Sequence, residues 1–253
     1  MNYLGGKFRQ GPAIARFIHK NLRASDMYVE PFCGALGAAW RVAEMATGRV
    51  CMVLSDVHQP LITMWKALFS EWVPPDVITE EEYAELKLKR DPENPMTAYA
   101  GFGLSFAATY FSTYARSQRG VRPVANLRHC AALKKATMKK VDTISKHDVE
   151  FACTDYTAYA DFVGCVFYLD PPYAGRSRQH KDSKPFVSDE FWDFVRNLSK
   201  NNRVFVTEFI APKDFTLVHN FGDTVSRHWS SKGPDGTEEG IYVWTPTMKR
   251  LTL

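Results

Sequence analysis

Val163-Gly164-Cys165-Val166-Phe167-Tyr168-Leu169-Asp170-Pro171-Pro172-Tyr173 is the stretch from which the fold of this chain is read. Val163 to Leu169 is a short apolar run of the kind that forms a buried strand. Pro171 and Pro172 stop it, because neither carries an N–H for the ladder. Their rings fix φ and leave the carbonyls free as acceptors. An acid, two rigid acceptors and an aromatic ring therefore gather at the carboxyl end of a strand, where open α/β sheets bind ligands. The set suits a flat ring that carries an exocyclic NH₂. Asp170 and the Pro171 carbonyl can each accept one N–H, and Tyr173 can stack on the ring face. Alone, Asp-Pro-Pro reads more simply as a stopped strand with a surface acid; the rest of the chain turns the balance.

Three further apolar runs stop near an acid: Met27-Tyr28-Val29 before Glu30, Cys51 to Leu54 before Asp56, and Glu150 to Cys153 before Asp155. Helical spacing separates them, over Pro12 to Leu22, Gly37 to Thr47 and Pro60 to Glu71. Pro12 suits a first helical position. Alternating strands and helices predict a mostly parallel, doubly wound α/β sheet. Any one acid could cap a helix; four at one edge form a polar rim over a crevice.

The alternation breaks between about Trp72 and Ser145. Pro74-Pro75 marks the boundary, and Thr79-Glu80-Glu81-Glu82 predicts a capping box opening a helix to about Arg90. Asp91 to Pro95 reads as a loop, Ser112 to Val124 as a hairpin or irregular basic loop, and Asn126 to Lys140 as a basic helix. The block reads as an insertion, residues 73–144, into a sheet domain made of 1–72 and 145–253. After Asp170 comes a second basic loop with Arg176, Arg178, Lys181 and Lys184. A helix from Ser188 follows, then a strand Arg203 to Thr207. A final hairpin has arms near Thr224 to Trp229 and Gly240 to Trp244.

The 253 residues carry a net charge of +4, which says little until it is located. Asn94 to Val141 contains no acid and eight cations: Arg116, Arg119, Arg122, Arg128, Lys134, Lys135, Lys139 and Lys140. The first half of that window holds Tyr99, Phe102, Phe106, Tyr110, Phe111 and Tyr114. A charge run is usually a solvated face, but one this long, free of acids and rich in rings, favours a polyanionic partner. No apolar stretch approaches the ~20 residues of a membrane span, and Met1 to Gly11 lacks a signal-peptide apolar region. The five cysteines are scattered without a Cys-x-x-Cys pair. Neither a zinc site nor a disulfide framework is indicated, and a reducing cytoplasm fits. Nothing in the sequence calls for an obligate protein partner.

At these residues the chain resembles a known family, the Dam-type (D12 class) S-adenosyl-L-methionine-dependent DNA adenine-N6 methyltransferases. Tyr3-Leu4-Gly5-Gly6-Lys7 resembles its N-terminal motif, and Glu30-Pro31-Phe32-Cys33-Gly34 its cofactor-binding loop. Asp56 and Asp155-Tyr156 match the acids after the second and third strands, and Asp170-Pro171-Pro172-Tyr173 matches the catalytic motif. The family loop usually has a second glycine two residues after the first; here Leu36 stands there and Gly37 follows. The methionine end of the cofactor is therefore expected to sit differently or bind less tightly. The resemblance implies a Rossmann-like methyltransferase sheet with an inserted, mainly helical target-recognition domain. Its substrate would be double-stranded DNA, methylated on a flipped-out adenine, the chemistry of restriction–modification systems.

The same resemblance assigns roles. Asp170, Pro171, Pro172 and Tyr173 would act on the target amine, and Asp170 also counts in the cofactor-binding set. Asp56 would accept from the ribose hydroxyls and Asp155 from the amino group of the cofactor's adenine, with Tyr156 or Phe32 packed beside it. Glu30 would face the cationic methionine end, Gly34 would allow close backbone approach, and Tyr3 belongs to the same cofactor set. Lys7 could meet the methionine carboxylate or the DNA. No metal is required. Arg116 and Arg119 are candidates for base edges or phosphates. Arg122, Arg128, Arg176 and Arg178 are further DNA-binding candidates. Lys134, Lys135, Lys139 and Lys140 read as backbone contacts. His58 and His129 read as surface or capping residues. Two alternatives stay open: methylation of cytosine N4 or an RNA base, and a DNA-binding protein of this fold without catalysis.

Overall fold

The computed structural model describes residues 6–23, 26–115, 127–172, 186–222 and 237–246. Seven strands form one sheet in the order β3-β2-β1-β4-β5-β7-β6. They are β1 (Met27–Glu30), β2 (Cys51–Asp56), β3 (Asp148–Cys153), β4 (Val166–Leu169), β5 (Arg203–Glu208), β6 (Phe215–Asn220) and β7 (Gly240–Trp244). The first five pair parallel, and β7 enters antiparallel between β5 and β6. From β1 the chain winds outward through β2 to β3, then returns to place β4 on the other side of β1. The switch point of the winding therefore lies between β1 and β4, where doubly wound sheets open a ligand crevice.

Alternation along the strands builds two cores. Tyr28, Met52, Leu54, Val166, Tyr168 and Phe205 point to one face. Helices α1 (Gly11–Asn21), α2 (Gly37–Met45) and α3 (Gln59–Phe69) contribute buried side chains to that core. Val29, Val53, Phe167, Leu169, Val204 and Val206 point to the other face, covered by α7 (Ser188–Leu198). β4 is buried at all four positions, as a strand covered on both faces must be. The helices run close to their expected spans. His58, read as a cap, accepts at Nδ1 from the Leu61 N–H at 3.3 Å. The expected capping box is present: Glu82 N–H donates to Thr79 Oγ1, and Thr79 N–H to Glu82, opening α4 (Glu80–Lys89).

Between α4 and β3 the structure differs from the sequence reading. Pro95 opens a helix, α5 (Pro95–Gly103), that the reading does not contain. Tyr99, Phe102 and Phe111 are buried, and Tyr110 and Tyr114 partly so, around Tyr83 and Trp72; Phe106 alone of the six rings is exposed, at 67%. Five of the six rings are thus core rather than a stacking surface. α5 is buried on almost every side, so its rings have no solvent face to occupy. Gly101 makes this packing possible: a Cβ there would lie 2.5 Å from the Tyr110 ring and 2.9 Å from that of Phe111.

The basic helix α6 (Leu127–Ile144) is as expected but sorts its cations by phase. Arg128, Lys135 and Lys139 are exposed and share one stripe at helical spacing. Lys134 pairs with Asp76 at 2.6 Å. Lys140 is buried, against the expectation of a phosphate contact, because its position faces α2 rather than solvent.

Of the expected terminal hairpin, Thr224 to Trp229 lies outside the described residues. The strand that pairs antiparallel with β7 on that side is β6, which the sequence reading does not contain; its exposed residues hide the alternation that marks a strand.

Candidate active site

The register puts the rim acids at one edge. Glu30 pairs level with Leu54 on β2, Leu54 with Phe151 on β3, and Val29 with Phe167 on β4. Glu30, Asp56, Asp155 and Asp170 therefore all stand at the carboxyl ends of four adjacent parallel strands. Tyr3, Tyr173, Arg116, Arg119, Arg122, Arg176 and Arg178 lie outside the described residues.

The turn after β1 is tightly held. Cys33 N–H donates to the Ser55 carbonyl at 2.8 Å, Gly34 N–H to Asp56 Oδ2 at 3.1 Å, and Trp65 Nε1 to the Gly34 carbonyl at 2.9 Å. Gly34 has φ 45° and Leu36 φ 56°. A left-handed leucine costs on the order of 1–3 kcal/mol. Full burial of its side chain, worth roughly 1.5–3 kcal/mol, offsets that. This is how leucine stands where the resembling loops carry glycine. Lys140 Nζ donates to the Ala35 carbonyl at 2.5 Å, so the basic helix clamps the same turn. Burial pulls the Lys140 ammonium down to about 8.

Asp56 spends one oxygen on Gly34 N–H and the other on His58 N–H at 3.0 Å. An ionised carboxylate offers about four lone-pair sites, so both oxygens keep capacity. Burial raises its carboxyl to about 6, against the pull of the backbone donors. Asp155 is exposed. Its Oδ1 accepts from Thr157 N–H at 3.0 Å and Thr157 Oγ1 at 2.7 Å, and its Oδ2 has no hydrogen bond among the described residues. Phe32 and Tyr156 meet at 5.5 Å between ring centroids, tilted by 30°. They follow β1 and β3, so the pair bridges the end of the intervening β2.

Glu30 is buried and accepts from the Tyr28 hydroxyl at 2.7 Å. Burial, with the charge of Asp170 adding to it, raises its carboxyl to about 8. Pro171 is buried and Pro172 exposed. Asp170 lies against Lys7, with Nζ to Oδ1 at 2.6 Å, and Lys7 Nζ is also 3.1 Å from Glu239 Oε1. Lys7 is only 5% exposed, and two adjacent carboxylates hold its ammonium above the ordinary lysine range despite burial. A Cβ on Gly37 would come within 3.1 Å of Lys7 N, so the loop carrying Lys7 rests on the start of α2. That contact aims the lysine at the sheet edge.

Trp65, Glu208 and Glu239, absent from the sequence reading, and Lys140, read there as a DNA contact, stand beside these candidates. Lys140 and Trp65 sit mid-helix, where nothing local marks them. Glu208 ends β5; burial raises its carboxyl to about 7. Glu239 directly precedes the apolar run of β7, and because β7 is antiparallel its start lies beside the end of β5.

The donor set fits S-adenosyl-L-methionine: carboxylates for a sulfonium, an amine and a ribose diol, an outward acceptor at Asp155, half-buried rings, and a turn with left-handed backbone. Among the described residues no cluster of His, Cys, Asp and Glu is arranged to hold a metal ion, and no helix is long and apolar enough to cross a membrane.

No curated protein matches the chain. Among solved structures, the crystal structure of TrmN from Thermus thermophilus is similar over 91% of this chain, at 11% identity and a TM-score of 0.39. The chain spans only 47% of that protein's length. A family model described as D12 class N6 adenine-specific DNA methyltransferase matches residues 3–231. With that match running from the Lys7 loop through all four rim acids, the chain belongs to the D12 class of N6 adenine-specific DNA methyltransferases.

Proposed function

We propose that the protein methylates the N6 amine of a flipped-out adenine in a short double-stranded DNA site. The observation that carries the reading is the line of Glu30, Asp56, Asp155 and Asp170 across β1, β2, β3 and β4, with Asp170 at the switch point. When bound, S-adenosyl-L-methionine supplies the electrophilic methyl on its sulfonium.

The residues supply position and charge. Asp56 receives the ribose hydroxyls, Asp155 the adenine amino group at its open Oδ2, and Phe32 with Tyr156 the ring. Glu30 lies toward the cationic end. Asp170 and the Pro171 carbonyl accept the two N–H groups of the target amine. Its lone pair is otherwise delocalised into the ring, and those bonds draw the nitrogen toward tetrahedral geometry. Tyr173 stacks on the base and repays part of the few kcal/mol that flipping costs. Residues 73–144 form the target-recognition insertion, with Arg128, Lys135 and Lys139 along the DNA backbone and Arg116 and Arg119 nearest to base choice.

Asp170→Ala tests this assignment. Methyl transfer to DNA should be abolished while calorimetry finds S-adenosyl-L-methionine bound with near-wild-type affinity. Activity within a few-fold of wild type would take Asp170 out of the reaction.

A further inference from the structure

Lys7 is shared between two acids, and one of them lies past the family match, which ends at residue 231. Glu239 is 4% exposed. Its Oε1 is 3.1 Å from Lys7 Nζ, and its Oε2 accepts from Gln10 Nε2 at 3.1 Å. The backbone of this segment is fixed on two sides. Phe221 N–H donates to the Glu239 carbonyl at 2.9 Å, and the next residue, Gly240, pairs with Glu208 at the end of β5. Glu239 is thus a rigid post beside the reacting edge.

An ammonium this buried carries a heavy desolvation cost and needs strong partners. With Asp170 alone it would form a neutral pair, weakening Asp170 as an acceptor. Glu239 gives the ammonium a second carboxylate at 3.1 Å, so Asp170 is not its sole anion. Resting on the function proposed above, we propose that Glu239, backed by Gln10, is a positioning residue for methyl transfer. It fixes the Lys7 ammonium against Asp170 and so keeps the Asp170 carboxylate in one rotation at the end of β4. Other groups face this cluster: Glu30 and Tyr28 from β1, Tyr168 from β4, Glu208 from β5, and Lys140 from α6 beside Glu30.

The test uses Glu239→Gln in the full chain, alone and with Lys7→Met. NMR of lysine Cε-labelled protein reads the Lys7 titration without cofactor or DNA. Its midpoint should fall in Glu239→Gln, since one of the two acids holding it up is gone. With DNA and S-adenosyl-L-methionine, kcat should fall about tenfold, a size usual for coupled contacting residues. Cofactor affinity should stay within about twofold, because the residue acts on Asp170 through Lys7. In the Lys7→Met background the same change should alter kcat less than about twofold. Gln10→Met should act in the same direction more weakly, and keeps the test open if Glu239→Gln fails to fold. An unmoved Lys7 midpoint, or an equal loss of kcat in both backgrounds, overturns the proposal. A wild type that transfers no methyl to DNA defeats the functional reading and this role with it. A Lys7 midpoint that still falls in Glu239→Gln would then show the ion triad intact and the reaction misassigned.

Discussion

The carboxyl edge of the parallel strands and the acid-free block from Asn94 to Val141 are both marked by residue type, and they behave differently. At the edge, each acid follows a strand, and the parallel register sets all four at one end of the sheet. In the block, the cations and some of the rings sit on helices, where direction depends on phase. α5 is buried on almost every side, so Tyr99 and Phe102 became core, and Phe111 packs in from the turn beyond it. α6 points Arg128, Lys135 and Lys139 outward and Lys140 inward onto the turn after β1. A count of charges along a helix does not say which of them reach solvent.

The largest effect should come from breaking the edge at its cation. Lys7→Met removes the ammonium that stands between Asp170 and Glu239. Single-turnover methyl transfer should fall by about 10²–10³, the scale of losing one aligned electrostatic group. Thermal melting should fall too, since removing one partner of a buried pair costs about 3–5 kcal/mol. Full stability in the variant would mean that the pair contributes little to the fold.

The helical block should respond in another way. Replacing Arg128, Lys135 and Lys139 with glutamine should weaken binding to every DNA sequence alike, leaving cofactor affinity unchanged. The slope of log affinity against log salt should flatten by about 0.9 for each phosphate that is no longer neutralised. Lys134→Gln, which breaks the ion pair with Asp76, should flatten it less. Equal slopes in the triple variant and wild type would move the DNA-binding face off this stripe.

A smaller effect sharpens the edge itself. With its carboxyl at about 8, Glu30 is largely protonated near neutrality. A cation bound beside it favours the carboxylate, so cofactor binding should release protons, and affinity should rise between about pH 6 and 8. Stability should run the other way. A carboxyl raised in the folded state adds stability that is complete below its ordinary value of 4.5 and is lost as pH rises through about 8. Calorimetry in two buffers of different ionisation enthalpy measures the released protons. Glu30→Gln should reduce them, leaving any share from Asp56 and Glu208. An unchanged release would place the cation away from Glu30.

The legible parts of the molecule follow from local rules. Val166 to Leu169, stopped by two prolines, marked the central strand; the alternation of apolar runs with helices marked the parallel sheet, and the acids after four runs the rim. Thr79 with Glu82 gave α4, because a capping box is local. β6 escaped because exposed residues such as Thr216 and Leu217 break the alternation that betrays a strand. α5 escaped because a helix buried all round has no polar face to mark its period. The Lys7–Asp170–Glu239 triad joins the first loop, the fourth strand and the last, and only the closed sheet brings them together.

The central claim is that this edge places a methyl group on the N6 amine of adenine in duplex DNA. Incubating the protein with unmodified duplex DNA and methyl-labelled S-adenosyl-L-methionine, then digesting the DNA to nucleosides, tests it most directly. The label should appear in N6-methyldeoxyadenosine, at a recurring site when the positions are sequenced. Label in N4-methyldeoxycytidine, label taken up by RNA and not by DNA, or no transfer at all would contradict it.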